Sequence, residues 1–273
     1  MIGLSCTSKP AQDQIHLVLS GDPRSIDPAL ATDVRTGQVC ALLYDNLLRF
    51  GKGSDLLPSL ARSWSVDSSG TEYTFNLSPG IFFADGEILT ASHIKSSFKR
   101  ILSPETGSPR KWLFTRVLGA DEYMTFESED VVGFQVPDDT TFVIHLKAPF
   151  APFSGFLAMP ASGIVKLSQQ GNPIGTGPWI LEDWVHDGHL DFHANKNYFG
   201  GAPLSEKLRI RILPEALPRS AEFITGYLDI MEIPESEFTL WYEDDHWRSS
   251  IHISEELNTY YIGLNCSRPP FDQ

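Results

Sequence analysis

The sequence has no run of about 18 apolar residues, so nothing in it reads as a membrane-spanning helix. Cysteine is scarce. Cys6, Cys40 and Cys266 are the three present, an odd number that allows at most one intramolecular disulfide, at a spacing that matches no zinc pattern. Basic residues are outnumbered, 21 Lys and Arg against 35 Asp and Glu, for a formal net charge of −14. A surface of that sign repels phosphates, which disfavours nucleic-acid partners and electrostatic adsorption to anionic lipid. Catalytic signatures are missing as well: there is no G-x-S-x-G elbow, H-E-x-x-H pair, P-loop or G-x-G-x-x-G. "GTGPW" has two glycines at the right closeness for a phosphate loop, but Pro178 follows instead of a helical pattern. Ser, His and Asp are plentiful without any spacing that pairs them, so a hydrolase ranks behind recognition.

What is present is ordinary globular material: 273 residues, 41% hydrophobic and 21% charged. Domains hold roughly 100–200 residues, which favours two lobes. Short strands and hairpins dominate. β-branched content marks Ile15–Ser20 as a strand, and two Asp-Pro pairs make "GDPRSIDPAL" an extended loop. Val39, Leu42, Leu43 and Leu47 give helical spacing over Gln38–Leu48. Strands follow at Ser63–Val66 and Glu72–Leu77, then a hairpin turning at Asp85-Gly86. Thr90 caps a helix to about Ile101 with Ile94, Phe98 and Ile101 on its apolar face. "VGFQVPDDTTFVIHL" and "WILEDWVHDGHLDFHAN" read as hairpins, "KLRIRIL" as a strand, Arg219–Thr225 as a short helix, "GYLDIMEI" as a turn into a strand and "TYYIGLN" as a last strand. The architecture expected is mixed α/β in two lobes. His186, His189 and His193 cluster in "HDGHLDFH". His189 and His193 share a strand face roughly 13 Å apart, too far for one ion, and the cluster reads as a solvated hairpin face with no metal.

The N-terminal "MIGLSCTSKPAQDQ" places Cys6 after a short apolar piece and before a polar stretch. That resembles the tail of a bacterial lipoprotein signal, with lipidation of Cys6 in the parent protein as the expectation. Gly3 stands where Leu is usual, and the basic and apolar parts of such a signal are missing; an ordinary thiol is the alternative. At the other end, the Pro-Pro pair of "LNCSRPPFDQ" reads as a connector into something further.

Six stretches, in order, carry a resemblance across almost the whole chain: "RSIDPAL"; the long "LLPSLARSWSVDSSGTEYTFNLSPGIFFADGEILTASHIKSSFKRIL"; "NPIGTGPWILEDW"; "NKNYFGGAP"; "GYLDIME"; and "LNCSRPPFDQ". Together they resemble the family 5 extracellular solute-binding proteins, the peptide, dipeptide, nickel and glutathione receptors of bacterial ABC importers. Asn46, Ile88 and His93 depart from residues usual in that family. The resemblance implies an α/β fold of the type II periplasmic-binding-protein class. It implies a tether at 1–14, a discontinuous domain I at 15–44 and 169–268, domain II at 45–168, and at 269–273 the start of a hinge into a domain III absent from this chain.

It further implies a binding protein and no enzyme, without a cofactor, periplasmic or at the cell surface. Its partners would be an extended oligopeptide held between two lobes and the permease subunits of an importer, with membrane contact only through a lipid anchor. By position, Ala31, Thr32, Asp33, Val34 and Arg35 line the ligand in domain I, offering main-chain N–H and C=O groups; Arg35 is able to meet a ligand carboxylate as a planar fork. From domain II, Arg110, Lys111 and Trp112 are the candidates. Two alternatives remain at this level: a truncated remnant or chaperone-like interaction module, and, within the family, a dipeptide, glutathione or nickel-complex receptor.

Overall fold

The structure, a computed structural model, describes residues 13–254 and 262–272. In chain order its elements are β1 (Gln14–Leu19), α1 (Val34–Leu43), β2 (Leu48–Phe50), β3 (Leu56–Pro58), β4 (Ala61–Val66), β5 (Glu72–Leu77), α2 (Ala91–Leu102), α3 (Ala120–Met124), β6 (Phe134–Asp138), β7 (Thr141–His145), α4 (Phe153–Phe156), β8 (Lys166–Leu167), β9 (Pro173–Ile174), β10 (Trp179–Val185), β11 (His189–Ala194), β12 (Lys207–Ile212), α5 (Ala216–Ile224) and α6 (Phe238–Glu243). Among the described residues no helix is long and apolar enough to cross a membrane.

Two four-stranded sheets organise the chain. The first has the order β1-β12-β11-β10, an antiparallel meander to which β1 adds in parallel. The second has the order β4-β5-β7-β6 and is antiparallel throughout. Each has its own core. Leu19, Val39, Leu190, Phe192 and Ile210 pack beside the first sheet. Phe75, Phe98, Phe114, Phe134 and Phe142 pack beside the second. Alternation explains the split: Tyr73, Phe75 and Leu77 of β5 are buried while the polar residues between them are not, the two-residue period of a strand with one wet face. Two segments join the lobes, residues 44–47 and 163–178.

The helix of the second lobe forms as expected. Ile94, Phe98 and Ile101 are buried. His93 takes the acceptor position of a capping box: its Nδ1 receives the Thr90 backbone N–H at 3.1 Å and lies 2.9 Å from the Thr90 hydroxyl, while Nε2 faces Glu87 Oε1 at 3.0 Å. Asn46 also has a local task, its Nδ2 donating to the Met159 carbonyl at 2.8 Å.

Three expectations need correction. The helix expected over Gln38–Leu48 spans Val34–Leu43, because Asp33 caps it early, its Oδ1 accepting the Thr36 N–H at 3.1 Å. It stops at Tyr44 because the chain crosses there to the second lobe, and Leu48 starts β2. At "GYLDIMEI" the turn forms, with Gly226 at φ 76, but no strand follows. Asp229 N–H donates to the His16 carbonyl at 2.9 Å, and its carboxylate accepts the His16 N–H at 2.7 Å. A side chain takes the place of the next rung and the ladder ends. Of the expected last strand, residues 259–261 lie outside the described residues, and Ile262–Asn265 are exposed and irregular.

Cys40 is buried with its thiol 3.8 Å from the Ile26 carbonyl, and Cys266 is exposed; both are free. Burial, followed by the charges of Asp27 and Asp33, pushes the Cys40 thiol up to about 12, so it stays protonated and inert. Cys6 lies outside the described residues.

Candidate functional site

The loop after β1 is shaped by its aspartates. Asp27 caps a 3-10 turn at Pro28–Leu30, its Oδ1 accepting the Ala29 N–H at 3.0 Å. Asp33 then caps α1 and also accepts the Thr36 hydroxyl at 2.9 Å. Desolvation alone would raise the Asp33 carboxyl; Thr36, Arg35 and Arg24 together hold it below its ordinary value. Ala31 and Asp33 are extended, whereas Val34 and Arg35 form the first turn of α1.

The second lobe grips this loop at three points. Arg100 of α2 makes a two-pronged ion pair with Asp27, with Nη1 to Oδ1 at 2.8 Å. The Ser108 hydroxyl donates to the Ala29 carbonyl. Arg110 donates from Nε to the Ala31 carbonyl at 2.7 Å and from Nη2 to the Thr32 carbonyl at 3.0 Å. Its fork therefore holds the loop backbone, and several main-chain groups expected to face a ligand already have partners: the Ala31 and Thr32 carbonyls accept from Arg110, the Asp33 carbonyl accepts from the Gly37 N–H, and the Ala31 N–H donates to the Pro28 carbonyl. Side chains 73 to 79 positions away in sequence fix the main chain at Asp27–Thr32, the kind of support that keeps a recognition strip in one geometry.

Val34, 74% exposed, borders two hollows. One, of about 460 Å³, is lined by Ala31, Thr32, Asp33, Val34 and Arg110 together with Met159–Ala161. The other, of about 730 Å³, is lined by Asp33, Val34 and Arg35 and by Val18, Ser20 and Arg219, with Ile230–Glu232 opposite. The structure thus brings together six of the eight candidates. Lys111 is exposed, and Trp112 lies edge-on to Phe156 at 5.1 Å; neither borders these two hollows. Sequence reading missed Gln38 and Ala41, which border both hollows. Four and seven residues after Val34, they share its helix face, and an Asp33 cap would have revealed them. Met159–Ala161 carried no local signal, since only the tertiary fold brings that turn beside α1.

The three histidines find separate partners. His186 Nδ1 faces Asp22 at 3.2 Å, His189 Nε2 lies 3.5 Å from Asp191, and His193 pairs across the sheet with Lys207. Among the described residues no three metal-ligating side chains gather at one point.

The glycines of "GTGPW" serve a close crossing. A Cβ on Gly175 would overlap the Leu43 carbonyl oxygen, and one on Gly177 would come within 2.5 Å of the Leu42 carbonyl oxygen. With the backbones that near, Thr176 donates to Asp45 Oδ2 at 2.8 Å while Tyr198 donates to Oδ1 at 3.0 Å. Both inter-lobe segments and the "NKNYFGG" loop are pinned on one carboxylate. Desolvation holds Asp45 above its ordinary value of 3.8 against those two hydrogen bonds. Because the folded-state value is the higher, its contribution to stability is complete below the ordinary value and is lost as pH rises through the folded one. Asp45→Asn, which removes this titration, should therefore gain stability relative to the parent as pH is raised from about 4 to about 7. Thermal unfolding of both proteins across that range checks this; a pH-independent difference would contradict it.

Over residues 55–273 the chain matches the family model for bacterial extracellular solute-binding proteins, family 5 Middle. It is 27% identical to the probable D,D-dipeptide-binding periplasmic protein DdpA of Escherichia coli (strain K12), over 96% of this chain and 51% of that protein. It is 29% identical to the glutathione-binding protein GsiB of Pectobacterium atrosepticum, over 91% and 47%. Its fold matches that of Haemophilus influenzae OppA, solved in complex with RPPGFSPFR, with a TM-score of 0.83 at 20% identity, over 97% of this chain and 55% of that one. The chain spans about half the length of the curated relatives it matches. With a mixed α/β fold like that of a peptide-binding protein and a family match over most of its length, the chain belongs to the family 5 bacterial extracellular solute-binding proteins.

Proposed function

We propose that this chain carries one face of a receptor for extended peptides that serves an ABC importer, exported and tethered through Cys6. The single observation that carries the reading is the strip Ala31–Val34, exposed at Thr32 and Val34 between two hollows and gripped from behind by Arg100, Ser108 and Arg110. Recognition of many sequences needs fixed main-chain partners and roomy surroundings for side chains, and water fills what a given side chain leaves open. We assign domain I to 15–44 and 169–268, domain II to 45–168, and 269–273 to the start of a hinge; the separate cores of the two sheets favour dividing the chain into two such parts.

A second reading, an interaction module, draws on the exposed Leu217, Ile224, Ile230, Leu240 and Ile253. In the receptor reading that apolar surface packs against the part of the fold that the relatives carry beyond the matched half. A photo-crosslinking residue in place of Val34 separates the two. It should capture a labelled tripeptide pool well above a control at Val132, itself 59% exposed on the second lobe. Equal labelling at both positions would sink the receptor reading.

A further inference from the structure

We propose that Arg219, acting with Arg35, forms an anion site at the carboxyl end of β1 that takes the free terminal carboxylate of a bound peptide. The site rests on the peptide reading above and deepens it.

Topology brings both arginines to one hollow. β1 and β12 are parallel neighbours, with Leu19 opposite Ile212 at their carboxyl ends. A helix follows each strand after a loop: α1 carries Arg35 at its second position and α5 carries Arg219 at its fourth. Both side chains line the 730 Å³ hollow. In open α/β sheets, ligands bind beyond the carboxyl ends of the parallel strands.

Arg219 differs from the arginines around it. Arg100 is paired with Asp27, Arg209 with Asp191 and Arg211 with Glu222. Arg219 makes no ion pair or hydrogen bond among the described residues, and its Nε is buried without a partner. Its charged neighbour Glu237 is already engaged by the Ser220 hydroxyl at 2.6 Å and the Trp241 N–H at 3.1 Å. A buried donor left unsatisfied is costly, most of all on a charged group, so this position calls for an acceptor from elsewhere.

Arg35 is only loosely held. Its Nε is 3.9 Å from Asp33 Oδ1, a carboxylate that already receives both donors of Thr36, and the side chain is 38% exposed. It packs over Gly21, where a Cβ would collide with its guanidinium. Two carboxylates share the hollow: Asp33, occupied as described, and Glu232, exposed. On a chain of net charge −14, a recess with two under-used guanidinium groups is where an anion concentrates.

The hollow also suits an extended chain. His16 turns its N–H and C=O away from β12 toward Asp229. By the two-residue period, Val18 and Ser20 turn theirs to the same open edge, beside the hollow. A peptide strand laid there brings its terminus to the arginine pair, and a planar carboxylate matches the guanidinium fork.

The test measures equilibrium binding of tri-alanine, as free acid and as C-terminal amide, to the full chain and to Arg219→Gln, Arg219→Lys and Arg35→Gln. The parent should bind the acid at least tenfold tighter than the amide. Arg219→Gln should erase that preference by weakening the acid alone, and Arg219→Lys should restore part of it. Arg35→Gln alters a half-buried side chain without a close ion pair and should reduce the preference even if the Arg219 variants fold poorly. Equal binding of acid and amide by the parent, or a preference that survives both Gln variants, overturns the site while leaving the peptide reading standing. Binding of neither peptide even at millimolar concentration overturns both.

Discussion

Phe98→Ala should destabilise the second lobe by about 3–5 kcal/mol, the range for a large buried aromatic cut back to alanine. Phe98 is fully buried in the middle of α2. Its ring stacks on Phe114 with centroids 4.4 Å apart and meets Phe134 and Phe142 at 5.9 and 5.8 Å. These rings come from a loop and two strands, so the surroundings cannot collapse into the space without moving the sheet. The loss reaches the candidate site, because Arg100 lies two residues further along the same helix and pairs with Asp27. Once α2 unravels, the grip on Asp27–Thr32 goes with it. Urea titration should show a lowered midpoint, and crosslinking from position 34 should fail at the same urea concentration. Leu204→Ala, at a fully exposed side chain, should stay within about 0.5 kcal/mol of the parent. A Phe98→Ala cost below about 1 kcal/mol would mean that the aromatic cluster is not the core it is taken to be.

Most of the fold was legible because its signals are local. Alternation in β5, the Asp85-Gly86 and Asp187-Gly188 turns, and the Thr90 cap each act within a few residues. α1 starts earlier than its apolar spacing indicates because the Asp33 side chain is a cap. The strand expected after Gly226 is missing because Asp229 bonds the edge of β1 with a side chain, a choice that no pattern of hydrophobicity encodes. The site divides the same way. Ala31–Arg35 could be found from a sequence stretch, whereas Arg110's hold on two carbonyls, and Arg219's place on the same hollow as Arg35, depend on elements brought together across the fold. The chemistry of the arginines was visible in the sequence; their partners were not.

If, as proposed, this chain presents one face of a two-faced peptide site, it should bind weakly when alone. A peptide resting on Ala31–Val34 and the edge of β1 keeps its other side in water. Each main-chain hydrogen bond so exposed contributes only about 1 kcal/mol, and affinity depends on enclosure and preorganised partners on both sides. Two or three bonds not made, with the apolar burial that goes with them, amount to roughly a hundredfold or more in the dissociation constant. The exposed Leu217, Ile224, Ile230, Leu240 and Ile253 should meanwhile favour self-association. Calorimetry with a mixed tripeptide pool, run beside a sizing measurement, decides the matter. The account predicts binding no tighter than high micromolar by a self-associating chain, and sub-micromolar binding by a monodisperse protein once the half that the relatives carry in addition is joined to it. Sub-micromolar binding by the monodisperse 273-residue chain alone would contradict it.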